Sequence, residues 1–234
     1  MTPTTERRSG ATPGSPLAPE ACLGSTWFID SDDPGVREFA RRVIDEAGAT
    51  SDRERAVALF LAVRDGWRYD PYNTSMDPGA FRASSVLASE RNWCVPKSVL
   101  LAAACRAVGI PARLGFADVR NHLQSEKLRE SMGTDLFVFH GYAEMWIDGA
   151  WRKASSAFNK ELCERFGTKV LEFDGVNDAL MHPFDESGNR HMEYVNQRGS
   201  FADLPLDEML AAFAEVYGAD WGTSDEAVVD DAFR

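Results

Sequence analysis

The sequence predicts an α+β fold in which a buried helix packs on an antiparallel sheet, and three observations predict it. Residues 95–108 are apolar nearly all round, so a helix there belongs in the interior. Beyond it, residues 136–147 and 150–155 read as strands around Asp148-Gly149, a type I′ hairpin signal. Helices come first and antiparallel strands follow, which is α+β order and not the alternation of an α/β chain.

Each element has a local cause. Residues 34–47 read as a first helix, with Asp33 as cap and Pro34 at the first helical position, where no N–H is needed. Ser51-Asp52-Arg53-Glu54 is a capping-box pattern, and the helix after it carries Ala56, Phe60, Val63 and Trp67 on one face. Residues 69–73 and 77–79 are punctuated by Pro, Gly and Asn, hence loop, and a short helical piece follows near residues 83–89. Pro96 is tolerable in the first turn of the interior helix, and Gly109 with Pro111 ends it. Residues 112–119 are strand-like, while the polar stretch 120–134 is a loop or a surface helix. After the hairpin, residues 158–166 read as a short helix and 169–173 as a further strand. Residues 186–189 mark a turn between two short extended segments. Leu206, Met209, Leu210, Phe213 and Tyr217 form a helical stripe.

Composition bounds the function. The chain has 234 residues, is 44% hydrophobic and 11% aromatic, and so suits one globular domain. We expect a tail over residues 1–24, rich in Pro, Thr, Ser and Gly, one domain over 25–218, and an acidic tail over 219–234. A formal net charge of -12 argues against nucleic acid as a partner. No apolar run approaches the length of a membrane span, and no secretory signal pattern follows the basic Arg7-Arg8 pair, so a reduced cytoplasm is the expected location. The four cysteines, Cys22, Cys94, Cys105 and Cys163, have no metal-ligand or C-x-x-C spacing. His182 and His191, with Glu193 nearby, lack a clear third ligand; no metal and no cofactor are expected.

The chemistry concentrates on Cys94. A thiol in the first turn of a helix feels the positive end of the helix dipole and free backbone N–H groups, both of which favour thiolate. His140 opens a strand in the second half of the chain and could complete a nucleophile–base pair. The competing readings are simpler: Cys94 as a small buried hydrophobe, Lys97 as a solvated lysine, Cys105 as core.

The order of motifs resembles the transglutaminase-like superfamily of cysteine enzymes, which share a papain-like core. The matching text is Cys94 opening a buried helix, Gly109-Ile110-Pro111-Ala112-Arg113 after it, and the hairpin from His140-Gly141-Tyr142-Ala143-Glu144 to Asp148-Gly149-Ala150-Trp151. The resemblance implies Cys94 as nucleophile, His140 as general acid and base, and the Cys94 N–H in an oxyanion hole. Glu144 and Arg113 would form a structural ion pair. The family's usual Asp at the end of the returning strand is replaced by Ser155, a hydroxyl that can orient an imidazole but cannot neutralise its charge. Asn159 is an alternative orienter, with Asp148 and Asp174 more distant ones. Trp93 and Tyr72 are the expected substrate contacts.

These readings lead to a cysteine-dependent acyl-transfer enzyme acting on a peptide, amide or acyl thioester. The alternative is a non-catalytic module that kept the fold, with Ser155 as its first lesion. Neither the substrate nor the oligomeric state is encoded in these motifs.

Overall fold

A computed structural model describes residues 17–218 and Trp221, apart from residues 73, 123, 183, 184, 186 and 190. Two helices, α1 (Pro34–Ala47) and α2 (Asp52–Gly66), open the domain. Asp33 caps α1 by accepting from Gly35 N–H and Val36 N–H at 2.9 and 3.2 Å. Ser51 and Glu54 close a reciprocal capping box on α2. Strand β1 (Arg68–Tyr69), helix α3 (Ala83–Leu87) and strand β2 (Arg91–Asn92) lead to the central helix α4 (Cys94–Ala107). β1 and β2 pair in parallel, which fixes the chain immediately before Cys94.

Every residue of α4 from Cys94 to Arg106 is buried. Helices α1, α2 and α3 pack against it, as do strands β3 (Ala112–Asn121) and β4 (Leu136–Ile147). Such a helix gains its stability from apolar burial, at about 1.5–3 kcal/mol for each large side chain. Its charged Arg106 survives there by donating to Ala112 O, Gly24 O and Ala202 O at 2.8, 2.7 and 2.6 Å. The Gly24 contact, with a 3-10 turn at Pro19–Cys22 and fully buried Cys22, shows that packed chain reaches into the segment expected as tail.

A four-stranded antiparallel sheet completes the core in the order β5-β4-β3-β6, with β5 at Ala150–Ala154 and β6 at Met192–Phe201. The β4–β5 turn has positive φ at both Asp148 and Gly149, as type I′ geometry requires. Helix α5 (Glu126–Met132) settles the polar stretch between β3 and β4 as helix, α6 (Lys160–Phe166) follows β5, and α7 (Leu206–Tyr217) closes the described chain. One expectation fails. Residues 169–173 form no strand; the segment touches the sheet farther on, through a single bridge between Ala154 and Ala179. The expected turn at 186–189 lies partly outside the described residues; only the segment after it becomes a strand, β6. Among the described residues no helix is long and apolar enough to cross a membrane.

Two glycines let the sheet meet its neighbours. A Cβ on Gly141 would come within 3.1 Å of Val95 Cα, so the absence of a side chain brings β4 against the first turn of α4. A Cβ on Gly115 would collide with the Tyr142 ring lying across it.

Candidate active site

Cys94 occupies the first position of α4, preceded by Trp93, whose side chain makes no capping bond. The first-turn donors of α4 are therefore left to other acceptors. The backbone N–H groups of Gly141, Val95 and Cys94 lie near the sulfur and favour its charged form. Burial pushes the thiol up to about 11, against these donors and the charge of Lys97. At neutral pH the proton therefore rests on sulfur.

Lys97 corrects the sequence reading. It is not solvated but fully buried, and its ammonium donates to Arg64 O, Trp67 O and Ala157 O at 2.9, 2.7 and 2.9 Å. Desolvation pulls it down to about 7, while three carbonyls match the three N–H groups of the charged form. The clamp ties the end of α2 and the segment after β5 to the turn of α4 that carries the thiol.

His140 sits on β4 beside a bulge between Ala117 and Val119. At that bulge Asp118 accepts from Phe139 N–H at 3.1 Å, and Phe139 takes a φ of 54°. A left-handed aromatic residue is costly by about 1–3 kcal/mol and persists only where its surroundings fix it. Asp118 is buried, and desolvation would raise its pKa, but bonds from Arg198 and Asn196 hold its carboxyl below the ordinary value. The charge-assisted network thus sets the backbone from which His140 projects.

The imidazole is 4% exposed, and burial draws it down to about 4, so it is neutral at physiological pH. Its Nε2 is buried without a hydrogen-bond partner. Neither expected orienter holds it. Ser155 leaves the β4 ladder, donating its N–H to Ala179 O at 2.9 Å, and its hydroxyl is likewise unpartnered. The Asn159 Oδ1 accepts from Tyr69 N–H at 3.1 Å, which secures β1 instead. Asp148 pairs with Arg53 at the hairpin turn, and Asp174 binds Asn177 at the surface.

Cys94 and His140 nevertheless line one cleft, together with Trp93. Its walls are Tyr69 of β1, Pro71 and Thr74 from the loop after it, Met132 of α5, Phe137 and Val138 of β4, and Phe213, Tyr217 and Trp221 at the C-terminal end. Tyr72 is not among them, whereas Tyr69, at the end of β1, is. Among the described residues no Asp, Glu, Lys or Arg lines the cleft. Trp93 packs edge-on against Phe81 and at 6.0 Å from Phe213, whose ring meets Trp221 at 5.1 Å. The open space is about 30 Å³, room for roughly one or two waters.

Glu144 behaves as expected of a structural group. It accepts from Arg113 Nε at 2.6 Å and from Ser200 Oγ at 2.9 Å, and the Arg113 guanidinium lies 4.0 Å over the Trp151 ring. His191 is buried and stacked on Phe158, and among the described residues no three metal-ligating side chains converge. Sequence reasoning preferred a solvated Lys97 to one adding positive potential at the thiol, and it missed Asp118, Gly141, Tyr69 and Tyr217 as parts of the site. The first-turn position of Lys97 and the glycine directly after His140 were the available signals.

A family model described as the transglutaminase-like superfamily matches residues 37–155, half of the chain, including Cys94, His140 and Ser155. Among solved structures, the chain is similar to a candidate cysteine protease from Cytophaga hutchinsonii, at 17% identity and a TM-score of 0.44. That similarity covers 83% of this chain and 48% of the other, so this chain spans about half the length of that protein. No curated protein matches the sequence.

Proposed function

The chain belongs to the transglutaminase-like superfamily, and from that premise we propose that it is a cysteine-dependent acyl-transfer enzyme acting on peptide, amide or thioester carbonyls. What carries the reading is that Cys94 and His140, from a helix start and a distant strand, line the same buried cleft. Neutral imidazole is the form that accepts a proton, and His140 is neutral above about pH 4.

As the Cys94 sulfur bonds to the carbonyl carbon, His140 takes the thiol proton and the carbonyl electron pair moves to oxygen. The resulting oxyanion accepts from the Cys94 N–H at the start of α4. Collapse breaks the carbonyl bond to the amine or thiol, which leaves with the proton from His140. Water then attacks the thioacyl carbon, giving its proton to His140, and the carboxylic acid departs as Cys94 regains its hydrogen. An amine in place of water gives transfer; hydrolysis needs no acceptor site and is our reading.

One observation favours a second reading, a non-catalytic module: the Nε2 of His140 is buried without a hydrogen-bond partner. Intact mass spectrometry separates the two. Incubation with activated thioesters and peptides adds one acyl mass to the parent protein and none to Cys94→Ala if the chain is an enzyme. Equal adducts, or none on either protein across the panel, favour the module.

A further inference from the structure

Strand β4 lies between β5 and β3, but β5 pairs only with its second half, from Ala143 to Ile147. Over Leu136–Gly141 the edge away from β3 therefore has no strand partner among the described residues. This is the part of β4 that borders the cleft, through Phe137, Val138 and His140. An unpaired strand edge is a ready template for an extended chain.

The edge is held shut by a side chain. At the bulge the Phe139 N–H turns to Asp118 on β3, and on the other side β5 does not reach Val138, so the Val138 N–H has no strand acceptor among the described residues. It donates instead to the hydroxyl of Tyr217, at 2.7 Å, from the last residue of α7. A phenol oxygen thus stands where the carbonyl of an added strand would stand. The remaining cleft surface is mainly apolar, with Trp93, Phe137 and Phe213 among its walls and, among the described residues, no Asp, Glu, Lys or Arg.

We propose that the cleft binds an extended peptide whose backbone carbonyl takes the Val138 N–H in place of the Tyr217 hydroxyl, with an uncharged apolar side chain among Trp93, Phe137 and Phe213. The inference rests on the acyl-transfer reading and names its substrate class. Main-chain bonds to the edge supply register, and the apolar walls supply side-chain selectivity. A charged side chain there would lose its hydration without gaining a partner. Tyr217 acts as a removable cap.

The test is binding, kept apart from turnover by using Cys94→Ala. The probes are acetyl-Ala-Ala-Phe-Ala-amide, its Glu counterpart, and the phenylacetyl thioester of N-acetylcysteamine, which has an apolar acyl group but no peptide strand. Tryptophan fluorescence reads affinity, and amide hydrogen exchange by NMR reads Val138. The expected result is that the Phe peptide binds at least tenfold tighter than the Glu peptide, and that it slows exchange at Val138 while the thioester does not. Adding Tyr217→Phe removes the competing hydroxyl and tightens the Phe peptide about fivefold, the worth of one net hydrogen bond. Equal binding of the two peptides, unchanged exchange at Val138, or no peptide binding at all overturns the proposal. Thioester loading of the parent Cys94 in the same series would leave the acyl-transfer reading standing. Should Tyr217→Phe fail to fold, the Val138 exchange with Tyr217 intact decides alone.

Discussion

Glu144 and His140 lie four residues apart on β4 and obey opposite rules. Both are buried and ionisable. Both side-chain hydrogen bonds of Glu144 answer its charge, one from a guanidinium and one from a hydroxyl, and an indole stacks on that guanidinium. His140 has nothing on its Nε2 and is neutral through burial alone. A buried polar group without a partner costs about 1–3 kcal/mol, a cost tolerated where the group has other work. One position has its polar atoms satisfied by partners, and the other keeps a buried nitrogen without one.

Substitutions at the two ends should therefore separate activity from stability. The largest effect belongs to Cys94→Ala, which abolishes acyl loading while the melting temperature stays within a few degrees. His140→Gln lowers kcat/KM by about 10²–10⁴, the range for a lost general acid–base group, with little change in unfolding midpoint. Glu144→Gln inverts that pattern. It strands Arg113 in a buried site and costs about 3–5 kcal/mol by urea denaturation, while kcat/KM per folded molecule holds. Equal losses of stability from His140→Gln and Glu144→Gln would erase the distinction.

Acid should strike the His140 end. Its folded pKa lies below its unfolded value, so between about 4 and 6.5 the unfolded state binds more protons. Stability from this group is complete above about 6.5 and declines as pH falls toward 4. The loss is of order 3 kcal/mol, and His140→Gln flattens that part of the denaturation-against-pH curve. The smallest effect is expected from Ser155→Asp. If the acid reaches the imidazole, NMR titration finds the pKa of His140 raised by about one to three units. An unmoved titration would show that the chain diverges from β4 at Ser155 too far for a side chain to bridge.

The same contrast governs what the sequence revealed. The α1 cap, the α2 capping box, the buried α4 and the Asp148-Gly149 turn are local signals, and each forms as read. The Arg113–Glu144 pair was legible because the family pattern marks both residues. β6 was harder: its text around Glu193, Asn196 and Arg198 is polar, as suits an edge strand, and only pairing with β3 makes it a strand. Lys97 defeats a residue-type argument, since three carbonyls from distant segments convert a surface residue into a core one. Tyr217 belongs to a stripe read as core, and nothing local says that its hydroxyl caps a strand edge. Asn159 was read as an orienter because an amide is chemically suited to it, yet folding gives that amide to Tyr69.

The pH dependence of iodoacetamide labelling at Cys94, in the parent and in His140→Gln, tests the central pairing most directly. If neutral imidazole takes the thiol proton only as sulfur bonds to the iodoacetamide carbon, as a general base, the parent labels at a nearly level rate from about pH 5 upward, whereas the variant is at least tenfold slower at pH 6 and climbs toward the bare thiol's value of about 11. Superimposable profiles for the two proteins would mean that His140 never takes the proton from Cys94, contradicting the account.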